Sequence, residues 1–287
     1  MEFRSAGSID EALVWLTELG DEAQILAGGT DVMIQRMRHE IDPSVLLYIG
    51  GLVELTGYAT NGAADFGALT THRALATDPG VAAAVPALAE AAATVGGWQT
   101  QQVGTLGGNL CNASPAADTA APLLVADAQV ELTSSTGVRI LALDEFLVGR
   151  RSTARLPNEL LTGLSATPIS PGTGETYRKL GRRSAMEVAI VGLATRLTLA
   201  PNGTVAAARI AACSVGPRPY RATDAEQILE GSRLEAEAVT EAGQALVESA
   251  APIDDARASA SYRLRVLPGL LARAVADCRA RIERDSS

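Results

Sequence analysis

From Ala91 to Ala117 the chain carries no charged residue, yet the run is not apolar: it holds Gln99, Gln101, Gln102, Asn109, Asn112 and five glycines. Such a run is too polar for hydrocarbon and is excluded as a membrane span. What remains is a Gly-rich, amide-rich loop system inside a water-soluble fold. Its centre is Gly104-Thr105-Leu106-Gly107-Gly108-Asn109, followed by Ser114-Pro115-Ala116-Ala117-Asp118. Thr105 and Asn109 can bond to polyol or phosphate oxygens, and Asp118 can accept from sugar hydroxyls. The competing reading is a buried loop whose polar side chains serve their own backbone. On its own Asp118 stands alone among amides and hydroxyls, or else caps the segment that begins at Thr119.

A second glycine pair lies upstream. The apolar run Gln24 to Ala27 reads as a strand and Val32 to Arg38 as a helix, with Gly28-Gly29-Thr30-Asp31 between them. Glycines there let a ligand approach the backbone and turn several N–H groups outward. The helix start adds partial positive charge, so an anion can sit there without a lysine. The alternative is a tight turn with Thr30 or Asp31 as helix N-cap. Neither the three-glycine nicotinamide fingerprint nor a P-loop is present. A third cluster, Tyr177-Arg178-Lys179-Leu180-Gly181-Arg182-Arg183, is either a solvated basic strand end or a charge set beside a ligand.

Composition narrows the classes. Asp and Glu outnumber Lys and Arg by 33 to 24, so clustered phosphate neutralisation and general nucleic-acid binding are disfavoured. Cys111, Cys213 and Cys278 are far apart and His39 and His72 are the only histidines, which leaves no disulfide framework, zinc site or iron–sulfur spacing. A reducing, cytoplasmic compartment is expected, and no secretory signal opens the chain. At 287 residues, two domains are expected. Aromatics are only 3 %, so the core is built from Ala, Val, Leu and Ile.

Local signals place the elements. Ser8 and Glu11 form a capping box for an opening helix that ends at Gly20. Val45 to Ile49 and Asp65 to Thr70 read as strands, and Val81 to Val95 as one Ala-rich helix. Ala128 to Leu132 and Val138 to Leu143 form a hairpin across Ser134 to Gly137. Ser165 to Thr176 is the best linker candidate. Asn202-Gly203 turns a second hairpin between Ala189–Leu199 and Thr204–Val215. From Thr223 the chain reads as helical, and its last helix, Tyr262 to Ile282, is interrupted at Pro268-Gly269.

Taken together, the two glycine sites, the linker and the Lys179 strand resemble the flavin-binding medium subunit of the molybdenum hydroxylases, the family of carbon monoxide dehydrogenase and of the xanthine dehydrogenase flavin domain. The resemblance runs from Glu11 to about Tyr262 and includes Gly67-Ala68-Leu69-Thr70-Thr71, Asp144-Glu145-Phe146, Glu159-Leu160-Leu161 and Pro217 to Ala222. It implies an α+β fold: a two-subdomain FAD-binding domain of the PCMH type over residues 1–172, split near 57/58, then a C-terminal domain, 173–287, with a small antiparallel sheet and helices. By position, Ala27, Gly28, Gly29, Thr30, Asp31 and Val32, with Thr105, Leu106, Gly107, Gly108 and Asn109, would bracket the FAD pyrophosphate. Ser114 joins this set, Asp118 would hold the sugar alcohol, Leu161 would pack near the cofactor and Lys179 would lie near the flavin ring.

One departure is Val95, which stands where some relatives carry an aromatic; Trp98 is the neighbouring aromatic. Glu187 stands where Asp is frequent. The resemblance further implies partners: a small iron–sulfur subunit with 2Fe-2S clusters, a large subunit with the molybdenum cofactor, a dimer of heterotrimers, and an external electron acceptor. The alternatives are a stand-alone FAD-dependent oxidase or dehydrogenase, disfavoured by the scarcity of histidine and the small C-terminal region, and a redox-inert nucleotide-binding module.

Overall fold

The computed structural model describes residues 1–60, 62–183 and 185–285. The fold is α+β and contains three main sheets. The first is parallel, with strand order Glu2–Ser5, Val45–Tyr48, Ala23–Leu26. Parallel neighbours need crossovers, and the helices Ile9–Leu19 and Val32–Met37 supply them. The opening helix starts as expected: Ser8 Oγ accepts from the Glu11 N–H at 3.1 Å. The Glu11 carboxylate accepts from Gly7, at 2.7 Å, one residue before the capping-box position. Gly20 closes the helix at φ 53°.

The second sheet is antiparallel, in the order Tyr58–Ala59, Ala64–Gly67, Leu160–Ala166, Gln129–Ser134, Gly137–Ala142. Its hairpin is the expected one. Its central strand corrects the linker expectation: Ser165 and Ala166 belong to this sheet and Thr173 to Thr176 to the next, so the connection is confined to residues 167–172. The expected helix from Val81 to Val95 is two, Pro79–Ala84 and Pro86–Thr94. Pro86 forces Val85 out of the α region, to φ −140° and ψ 70°, and then starts the next helix at its first position.

The third sheet runs Thr173–Leu180, Val191–Leu199, Val205–Cys213, Tyr220–Arg221, all antiparallel. Asn202-Gly203 makes the predicted turn, with Gly203 at φ 81° and the Asn202 side chain accepting from the Thr204 N–H at 3.0 Å. Side chains alternate across a strand, and here the alternation serves two cores. Val191, Leu193, Leu197 and Ile210 pack beneath the helices Ala236–Ser249 and Ala260–Asp285. Tyr177, Ala194, Ala211 and Cys213 join the core that holds Leu88, Leu106 and Phe66. The final helix is continuous through Pro268, against expectation. An interior proline costs about 3 kcal/mol; burial of Leu267, Leu271, Ala274 and Val275 offsets that cost, and Gly243 leaves room for the proline ring.

Candidate cofactor site

The strand Ala23–Leu26 delivers the first glycine loop to the backbone of the second loop system. A Cβ on Gly28 would lie 1.8 Å from the Val103 carbonyl oxygen, so only glycine allows this contact. Gly29 sits at φ 72°, in the left-handed region. Among the described residues, the N–H groups of Gly28, Gly29, Thr30, Asp31 and Val32 have no protein acceptor; the first N–H to be used is Met33, on the Gly29 oxygen at 3.2 Å. Asp31 occupies the N-cap position without a side-chain cap bond. Its carboxylate instead accepts from Asn112 Nδ2 at 3.0 Å. Burial raises the Asp31 carboxyl above its ordinary value.

The second loop is built differently. Thr105 caps the helix Leu106–Asn112, its hydroxyl accepting from the Gly108 N–H at 3.1 Å. Leu106 donates to Thr70 O at 2.9 Å, Gly107 to Ala68 O at 2.8 Å and Asn109 to Thr105 O at 3.0 Å. A Cβ on Gly107 would meet Ala68 at 2.8 Å, whereas one on Gly108, which is exposed, would meet only Thr105 Oγ1 at 2.7 Å. The expectation that the glycines of the first pair let a ligand approach the backbone is therefore corrected at Gly28: there, as at Gly107, the missing side chain makes room for the chain's own backbone.

Asn109 Oδ1 accepts from the Thr119 hydroxyl at 2.7 Å, leaving its amide N–H groups free of any protein partner among the described residues. Ser114 Oγ accepts from the Ala116 N–H at 3.2 Å. The ring of His72 packs beside Gly104; burial pushes its pKa down to about 4 and keeps it neutral.

Two expectations fail at Asp118. The carboxylate neither stands alone nor caps the helix after Thr119. Lys179 Nζ donates to Asp118 Oδ2 at 2.7 Å, and the Tyr177 hydroxyl donates to Oδ1 at 2.6 Å. Lys179 also donates to Thr94 O at 2.9 Å. Its side chain is only 8 % exposed, which overturns the solvated strand end. The alternation of the strand explains the split in the basic cluster. Tyr177 and Lys179 face Asp118, and Arg178 points the other way to pair with Asp277 of the last helix. Arg182 and Arg183 both pair with Glu187. A small cavity of ≈ 80 Å³ adjoins Lys179, lined also by Thr94, Gly181, Arg183, Ala185 and Glu187. Leu161 is buried in the central strand beside a bulge. Trp98 is 59 % exposed.

Sequence reasoning missed the bridge between the loops. Asn112 takes a hydrogen bond from Gln35 Nε2 at 2.9 Å and gives one to Asp31, so the helix that follows the first glycine pair is tied to the helix that contains the second.

The architecture has close counterparts. Residues 1–166 match the family described as the FAD binding domain in molybdopterin dehydrogenase, and residues 175–278 match the CO dehydrogenase flavoprotein C-terminal domain. The xanthine dehydrogenase FAD-binding subunit of Escherichia coli O157:H7 is 30 % identical over 96 % of this chain and 94 % of its own. The carbon monoxide dehydrogenase medium chain of Afipia carboxidovorans is 32 % identical, over 98 % and 97 %. The structure of carbon monoxide dehydrogenase from Hydrogenophaga pseudoflava superposes with a TM-score of 0.94 at 31 % identity, covering 98 % of each chain. With its fold and both of its domains matched along nearly the whole length, the chain belongs to the FAD-binding medium subunits of the molybdopterin dehydrogenases and is an oxidoreductase subunit.

Proposed function

We propose that this chain holds FAD across its two glycine loops and passes electrons, received from iron–sulfur clusters on a small partner subunit, to an external acceptor. The observation that carries this reading is the run of N–H groups from Gly28 to Val32 without a partner among the described residues, set against the exposed Gly108 in the first turn of the helix Leu106–Asn112. A diphosphate needs such donors, and backbone N–H groups turned outward supply them without a basic side chain. The residues present therefore fit the cofactor. Ala27 to Val32 take one side of the diphosphate, and Thr105 to Asn109 the other, through the Asn109 amide and the bare face of Gly108. Ser114 and Asp118 serve the sugar alcohol, Leu161 packs near the cofactor and Lys179 lies near the ring system.

Bound FAD supplies the redox chemistry, accepting and releasing electrons. The protein supplies placement and charge. The buried Lys179 side chain is paired with the Asp118 carboxylate, and two of its three donors are occupied. The third is available to a ligand atom. The FAD-binding domain spans residues 1–172, with subdomains meeting near 57/58, and the C-terminal domain spans 173–287. The working assembly is a dimer of heterotrimers in the cytoplasm, with the molybdenum cofactor on a large subunit that selects the substrate.

The experiment is purification of the chain alone and with its partners. The chain alone copurifies with FAD, its flavin is bleached by dithionite, and no organic substrate drives turnover. A colourless chain that takes up no FAD overturns the cofactor reading. Substrate turnover by the chain alone overturns the electron-transfer reading in favour of a stand-alone oxidase.

A further inference from the structure

Tyr177 has no part in the reading above, yet the structure has cleared a place for its hydroxyl. In the sheet, Gly192 pairs with Lys179 on one side and with Cys213 on the other. A Cβ on Gly192 would lie 2.4 Å from the Tyr177 hydroxyl oxygen and 2.4 Å from Cys213 Sγ. Any larger residue there would push the phenol away from Asp118. The hydroxyl donates to Asp118 Oδ1 at 2.6 Å and lies 3.7 Å from the Cys213 thiol. With Lys179 on the other oxygen, the carboxylate is gripped at both ends. A carboxylate offers about four acceptor positions, so two remain for ligand hydroxyls.

We propose that Tyr177 is a positioning residue of the cofactor site: its hydroxyl fixes the Asp118 carboxylate in the ionised form and in the orientation that serves both Lys179 and the sugar alcohol of FAD. This rests on the FAD reading above. The titratable groups that face Asp118 are Lys179 and Tyr177 from one strand and Cys213 from the next. Burial raises the Asp118 carboxyl, and the Lys179 ammonium and the Tyr177 hydroxyl pull it back down. Cys213, pushed up to about 12, stays a neutral thiol. Removing the hydroxyl takes away one donor that favours the charged form, so Asp118 then takes up a proton at higher pH.

The test is titration of FAD into the full-length apo chain between pH 5 and 9, read by flavin fluorescence, for wild type and Tyr177→Phe, with a melting curve of each. In the wild type, affinity falls as pH drops and Asp118 is protonated. In Tyr177→Phe that fall begins about one pH unit higher. A Tyr177→Phe profile with the wild-type onset, whatever the change in melting point or in overall affinity, makes Tyr177 a packing residue and overturns the proposal. If Tyr177→Phe does not melt cooperatively, Gly192→Ala, whose methyl dislodges the hydroxyl, reads the same onset with the same two outcomes. A wild-type chain that binds no FAD at any pH overturns the cofactor reading itself, and this proposal with it.

Discussion

The two glycine pairs look alike in the sequence and differ in what they do with their backbone. At Gly107-Gly108 every N–H from Leu106 to Asn109 is taken by the protein: by Thr70, by Ala68, by the Thr105 hydroxyl and by the Thr105 carbonyl. At Gly28-Gly29 five successive N–H groups have no partner among the described residues. The second loop thus has its backbone donors satisfied within the protein, and the first is a set of waiting donors. Gly-Gly in a sequence reports only that a side chain is not tolerated. Whether the reason is a ligand or another stretch of backbone depends on the partner, and at Gly28 that partner is Val103.

The most forceful way to break the comparison is Gly28→Ala. A methyl 1.8 Å from a carbonyl oxygen cannot be absorbed by a rotamer change, so the two loops must separate. Overpacking of this kind costs about 1–3 kcal/mol, with the backbone contact placing it at the upper end. Denaturant unfolding of the apo chain should show that loss, and FAD retention should disappear with it. An apo protein of wild-type stability would mean that the loops are not in contact.

Gly108→Val separates the roles more finely. The added side chain meets only the capping hydroxyl of Thr105, at 2.7 Å from its Cβ. Loss of a cap costs about 1 kcal/mol, so the fold survives. The side chain now covers the bare face of the second loop, and flavin retention should be abolished. A Gly108→Val protein that copurifies with full FAD removes the second loop from the binding site.

What was legible in the sequence was mostly local. The Ser8 cap, the Gly20 stop and both hairpin turns depend on residues within a few positions of one another. The strand Glu2–Ser5, which was not foreseen, is polar and gains its place only by pairing with Val45–Tyr48. Ser165 and Ala166 read as linker because their neighbours in the sheet, Asp65, Ala64 and Gln129, are remote in sequence. Local rules make Pro268 a break because they count the missing hydrogen bond and cannot see the core beneath the helix. At the candidate site, the glycine loops, Asp118 and Lys179 are legible as motifs, but the contact between the last two is not. That contact depends on a strand from the C-terminal sheet reaching the loop after the second glycine pair. No spacing in the chain encodes it.

Asn112→Ala sharpens the comparison by cutting the tie between the loops without touching a glycine. Its amide is bonded to Gln35 and to Asp31, both on the helix side of the first loop. Net hydrogen-bond contributions of about 0.5–1.5 kcal/mol set the expected loss of apo stability. FAD affinity should fall by about tenfold or less, because the donors from Gly28 to Val32 remain but are less well held. Unchanged FAD affinity would show that the first loop keeps its shape unaided.

Asp31→Asn is the gentlest change and tests the sign of the charge at the waiting loop. The Asn oxygen can still accept from Asn112, so the bridge between the loops persists. In the wild type, burial raises the Asp31 carboxyl above the 3.8 it has when unfolded. Between those two values the folded chain binds more protons than the unfolded one. Stability therefore falls as pH rises from about 4 through the folded value, and is level above it. Replacing the carboxyl by an amide removes this decline, so the stability of the variant should follow a flatter curve from pH 4 to 7 in denaturant melts. The same substitution removes a negative charge from beside five open N–H groups. A diphosphate then meets less repulsion, and FAD affinity at pH 7 should rise two- to threefold, or about 0.5 kcal/mol. If affinity instead falls by tenfold or more, the Asp31 carboxylate, and not only its N–H, holds the ligand. The first loop would then bind by side chain as well as by backbone.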